Sequence, residues 1–180
     1  LTLVMTTPLC AQIQVPDLFT DQMVLQRGKP IPLWGNAAPG TRLTISLNEQ
    51  HTQAITDKEG HWTGILPAMP AGGPYQLNIQ SAQDTLRLHD LYLGEVWICS
   101  GQSNMEWPLR QSAQGETAIA QANHPLIRLF HLQKKHDTYQ SPYTPEELEA
   151  FSRGDFFYQP QWEVCTPQTA SSFSGVGYFF

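Results

Sequence analysis

The sequence predicts two unlike parts, a small β-sandwich over residues 15–92 and then the start of an α/β domain with a parallel sheet over residues 93–180, which the chain carries only in part. Two observations carry this expectation. From Val15 to about Leu91, short stretches of alternating apolar and polar residues are punctuated by turn residues, the grammar of antiparallel strands. At Gly94 that alternation stops, and Val96-Trp97-Ile98-Cys99 forms a nearly continuous apolar run, as expected for a strand covered on both faces.

The first part reads in order. Asn36-Ala37-Ala38-Pro39-Gly40 is a turn, after which Leu43, Ile45 and Leu47 alternate with Arg42, Thr44 and Ser46, so one face of that strand is dry. Asp57-Lys58-Glu59-Gly60 is a second turn ahead of Trp62. Tyr75, Leu77 and Ile79 repeat the alternation after Gly72-Gly73-Pro74, as do Leu86 and Leu88. About seven short strands at this spacing suggest the sandwich.

In the second part the apolar run Val96 to Cys99 is followed at once by a glycine-containing turn. Glu116 to Ala122 has helix-forming composition and Leu126 to Leu132 reads as a strand, which together suggest βαβ architecture. Residues 133–161 are polar and aromatic, a long excursion from the sheet. Within them, Thr144-Pro145-Glu146-Glu147 is a helix start, with Thr144 as cap, Pro145 in the first position and Glu147 closing a capping box. Trp162 to Cys165 reads as a further strand.

Composition limits the partners. With 14% charged residues and a formal net charge of -6, the chain lacks the basic footprint that phosphate backbones require, so nucleic acid is not an expected partner. Leu1 to Ala11 is apolar and small and precedes the polar Gln12, which reads as the remains of a signal peptide and implies export to the periplasm or the extracellular space; a buried first strand is the competing reading. The run is too short for a stable membrane span. Cys10 would leave with the signal, and Thr7-Pro8-Leu9 argues against lipidation. Cys99 and Cys165 then remain, either as buried free thiols or as a pair in an exported protein.

The chemistry concentrates in Cys99-Ser100-Gly101-Gln102-Ser103-Asn104-Met105-Glu106-Trp107-Pro108, directly after the apolar run. The carboxyl end of a parallel strand is where side chains project into the crevice above a sheet. Gly101 permits a tight turn that would leave the Ser103 hydroxyl exposed and the Ser103 N–H free to face a developing oxyanion. The other reading of this Ser- and Asn-containing stretch is a helix cap. Gln102 and Asn104 either position the turn or touch substrate, while Met105 and Trp107 read as packing and Glu106 as exposed. His131 reads as structural, His136 as solvated beside Lys134, Lys135 and Asp137, and His51, His61 and His89 show no metal-ligand spacing. No cofactor or metal is expected.

The block GEVWICS followed by GQSNMEW resembles the nucleophile region of the sialate O-acetylesterase and carbohydrate acetylesterase family, which is SGNH-hydrolase-like. Leu18 to Arg27, Pro30 to Gly35 and Ala71 to Tyr75 are similar to the β-rich region ahead of that nucleophile, and Phe173 to Phe180 is similar to a helix start behind it. The resemblance implies that Ser103 is the nucleophile attacking an acetyl ester on an O-acetylated sugar. The acidic and histidine partners would then lie beyond residue 180, since nothing before Phe180 matches them. A carbohydrate-binding sandwich without activity, or an acetylxylan-type polysaccharide deacetylase, are the alternatives.

Overall fold

The computed structural model describes residues 12–135 and 142–180, so the signal reading of residues 1–11 and the reading of His136 lie outside the described residues. The chain divides into two compact units. One comprises Val24–Val96 with the stretch ending at Phe19, and the other Thr20–Met23 with Trp97–Phe180.

The first unit is built of strands: β1 (Val24–Gln26), β2 (Ile31–Asn36), β3 (Arg42–Leu47), β4 (Gln50–Ile55), β5 (His61–Leu66), β6 (Gly72–Gln80) and β7 (Thr85–Gly94). Five form a mixed sheet in the order β1-β7-β6-β3-β4, in which β1 runs parallel to β7 and the other pairs are antiparallel. β2 and β5 form a separate antiparallel ladder. The alternation in the sequence is the alternation in burial. β3 buries Leu43, Ile45 and Leu47 and exposes Arg42 and Thr44, and β5 buries Trp62 and Leu66. The turn before β5 is tied by Asp57, whose Oδ1 accepts from the N–H groups of Glu59 (3.0 Å) and His61 (2.8 Å). Gly60 sits there at φ +87°, a conformation that favours glycine.

The end of this unit is clamped by side chains. Gln26 Nε2 and Arg27 Nε donate to the two carboxylate oxygens of Glu95 at 2.9 and 2.7 Å, and Val96 N donates to Gln26 Oε1 at 3.0 Å. Hydrogen bonds to its charged form, first from Gln26 and then from Arg27, hold the Glu95 carboxyl below the usual value.

The second unit contains α1 (Ser103–Glu106), a 3-10 turn at Leu109–Gln111, α2 (Gly115–Gln121), β8 (His124–Phe130), α3 (Pro145–Ser152), β9 (Trp162–Cys165), α4 (Pro167–Ser172) and α5 (Gly175–Phe179). The capping box at α3 forms as the sequence requires: Thr144 Oγ1 accepts from Glu147 N at 3.2 Å and Glu147 Oε2 accepts from Thr144 N at 2.7 Å. Thr166 and Thr169 cap α4 in the same reciprocal way.

Three expectations are corrected. Val96 to Cys99 is not a strand, because no ladder partner lies beside it among the described residues; Trp97 is 68% and Ile98 90% exposed. The expected βαβ pairing is replaced by an antiparallel one: β8 pairs with β9, with Phe130 opposite Trp162, so no parallel sheet forms in this unit among the described residues. β8 also begins and ends two residues earlier than the apolar run suggested, leaving His131 and Leu132 past its end. Among the described residues, no helix is long and apolar enough to cross a membrane.

Candidate active site

The core of the second unit sets the position of the serine-bearing turn. Leu109, Ala122, Leu129, Cys165 and Ala170 form a buried cluster, with Phe173 and Tyr178 packed against it. Leu109 anchors the turn that follows α1. Its N–H donates to Phe173 O at 2.8 Å, and Gly175 N returns the bond to Trp107 O at 2.8 Å, so a short antiparallel bridge ties Pro108 to Ser174. Ser174 Oγ lies 3.2 Å from Met105 Sδ, on α1 itself. Gly175 fits here because it has no side chain: a Cβ would collide with Ser112 Oγ.

Ser103 is the first residue of α1 and is exposed, and among the described residues its hydroxyl makes no hydrogen bond. The N-cap is Gln102, in extended conformation and with no capping hydrogen bond from its side chain. The capping reading of this stretch therefore fails, since neither Gln102 nor Ser103 spends its side chain on the helix end. Gly101 follows a different logic from the one its residue type suggested. Its φ is not in the left-handed region, and what it supplies is room, because a Cβ there would lie 3.2 Å from Met105 Cβ. Gln102 and Asn104 are exposed beside Ser103. Trp107 is 54% exposed, so the packing expectation does not hold for it; its Nε1 donates to Gln111 O at 2.9 Å, and the exposed Glu106 is ion-paired with Lys134.

No histidine bonds to Ser103 among the described residues. His131 is half-buried and stands edge-on to Phe173, with ring centroids 5.6 Å apart. Desolvation pushes its pKa down, partly opposed by the Glu163 carboxylate. A histidine with a lowered folded pKa stabilises the fold above its unfolded value of about 6.5, and that stability is lost as pH falls toward the folded value. Thermal melts across this range should therefore show the native protein weakening on acidification relative to a His131→Gln variant. Parallel curves would remove His131 from the acid response.

Cys99 and Cys165 are both free, the first exposed and the second fully buried with its thiol pushed above the ordinary value by burial. The Cys99–Cys165 pair does not form, and of the two thiols expected to be buried only Cys165 is. Alkylation of the native protein, followed by peptide mapping, should modify Cys99 and spare Cys165 until denaturant is added; equal labelling would contradict the packing of the core.

The chain is similar in fold and in sequence to proteins of one class, the carbohydrate acetylesterases. No protein-family model matches the chain. A crystal structure of a carbohydrate acetylesterase from Xanthomonas citri superposes with a TM-score of 0.77 at 35% identity, over 93% of this chain and 35% of that one. More particularly, the sialate O-acetylesterase of Homo sapiens is 36% identical over 102 residues, covering 51% of this chain and 20% of the human protein, and that of Mus musculus is 30% identical over 120 residues, covering 60% and 22%. By sequence and by fold the chain is similar to part of the sialate O-acetylesterases and of a carbohydrate acetylesterase. It spans about one fifth of the length of the curated relatives it matches.

Proposed function

We propose that the chain carries the nucleophile of a serine esterase that removes O-acetyl groups from sialic acids or related acetylated carbohydrates through an acetyl-serine intermediate. The observation that carries this reading is the exposed, unengaged Ser103 hydroxyl at the head of α1, in a chain whose relatives bear the names of acetylesterases. The Ser103 oxygen attacks the acetyl carbonyl carbon while its proton passes to a base. The tetrahedral oxyanion accepts from nearby N–H donors, with the Ser103 N–H as one of them, and collapses as the sugar hydroxyl leaves with a proton. Water then releases acetate from Ser103.

A serine hydroxyl is a poor nucleophile without an imidazole and an acid to orient it. We assign both to sequence beyond residue 180, and with them the completion of an SGNH-hydrolase-like α/β domain behind a β-sandwich. Gly101, Gln102 and Asn104 shape the turn or face the sugar. With Leu1 to Ala11 taken as a signal remnant, the same reading implies export to the periplasm or the extracellular space.

Acetate release from O-acetylated sialic acids, acetylated xylan and other acetylated glycosides by the full-length protein tests the proposal and ranks the sugars. Sugar affinity without acetate release from any of them would favour a binding module instead.

A further inference from the structure

We propose that the cavity between β9 and the segment following β8 is a monosaccharide subsite on the scaffold that carries Ser103, and that it accepts a neutral pyranose in preference to an anionic sugar acid. The inference narrows the esterase reading to its neutral acetylated carbohydrates, away from its sialic acids, and rests on that reading for the link to substrate. The cavity holds about 190 Å³, below the roughly 300–1,000 Å³ of pockets for drug-sized ligands, so it suits one sugar ring and not an oligosaccharide.

Its lining has the chemistry of sugar recognition. Tyr158, which lines the cavity and is 57% exposed, offers an aromatic ring of the kind that packs against the apolar side of a pyranose. Around it stand Gln133, Gln161, Glu163 and His131. None of these four side chains makes a hydrogen bond among the described residues, and the Tyr158 hydroxyl makes none either. Thr169, by contrast, is committed: its Oγ1 donates to Val164 O at 2.7 Å. Two amides, a carboxylate, an imidazole and a phenol, all uncommitted, match the alternating donors and acceptors of sugar hydroxyls.

Charge selects the class of sugar. Glu163 brings a carboxylate, and among the described residues no lysine or arginine lines the cavity. Desolvation disfavours the charged form of His131, partly opposed by Glu163, so the imidazole is a poor source of compensating charge. The nearest cation along this segment, Lys134, is ion-paired with Glu106 of α1. A sugar acid would therefore place its carboxylate against Glu163 without a counter-ion, which opposes binding.

The cavity also shares its walls with the serine turn's supports. Phe173, one of its lining residues, accepts the Leu109 N–H, and the Lys134–Glu106 pair joins the segment carrying His131 and Gln133 to the helix that Ser103 begins. The cavity and α1 thus share supporting contacts.

Ligand-observed NMR titration of the full chain bearing Ser103→Ala separates binding from turnover. Methyl glycosides of neutral pyranoses and of N-acetylneuraminic acid serve as probes. Saturable binding of at least one neutral glycoside is expected, weakened about three- to tenfold by Tyr158→Ala and by Gln161→Ala, the scale of one lost aromatic contact or hydrogen bond. The sialoside should bind more weakly, and Glu163→Gln should narrow the gap. A sialoside that binds as tightly as the neutral glycosides, binding indifferent to both alanine variants, or no saturable binding of any neutral glycoside would each overturn the assignment. Acetate release by the native protein reports on the esterase reading separately, so it can survive when the cavity assignment fails.

Discussion

Replacing Ser103 by alanine in the full-length protein is expected to abolish hydrolysis of acetylated sugars, with turnover falling by about three to six orders of magnitude and folding unchanged. The size of the loss follows from the chemistry. Without the hydroxyl no acetyl-enzyme forms, and what remains is substrate binding and backbone donors around a water attack. Folding should be spared because Ser103 is exposed and its hydroxyl holds nothing in place. Asn104→Ala and Gln102→Ala should cost far less, since they shape or line the turn without supplying the attacking atom. Wild-type turnover in the Ser103→Ala protein would remove Ser103 from the mechanism.

Gly35→Ala is expected to be the most damaging single methyl in the β-rich unit, at about 3 kcal/mol and a fall in melting temperature on the order of 10 °C. A Cβ at this position in β2 would collide with the carbonyl oxygen of Gln14 and lie 2.9 Å from Trp62 Cζ2. The carbonyl cannot step aside cheaply, because Gln14 and Asn36 exchange backbone hydrogen bonds of 2.9 Å in both directions. Trp62 is equally confined in the core. Gly40→Ala is the contrast: nothing lies within 4 Å of its added methyl, and only its φ of +75° opposes the change, at about 1–2 kcal/mol. Melting curves that rank the two variants in the opposite order would contradict the close packing of β2 against Gln14.

The strands of the first unit were legible because each is half-buried, so period-two alternation in Leu43, Ile45 and Leu47 maps directly onto one dry face. Thr144 and Thr166 show the same directness at helix starts, where the capping bonds are local and the sequence contains both partners, although only the first was anticipated. Val96 to Cys99 was misjudged for the opposite reason. Hydrophobicity signals that a segment wants covering, but a strand exists only when neighbours complete its ladder, and those neighbours are not among the described residues.

At the site, Ser103 stood out through its motif, while the role of Gly101 did not, because space beside Met105 is a tertiary property. The cavity around His131, Tyr158 and Glu163 was hidden altogether. Its residues come from three separate stretches, and their only sequence signal was an aromatic, amide-rich run from Tyr158 to Gln161 that read as an irregular excursion.

Peptide mapping of the full-length protein after reaction with a fluorophosphonate tests the central claim most directly, because such a probe captures a serine only when a base activates it. The account predicts one adduct, on the peptide carrying Gly101-Gln102-Ser103-Asn104, formed at the rate at which acetate release is lost. Acetylesterase activity that disappears with the adduct on another serine, or that persists with Ser103 fully labelled, would contradict it.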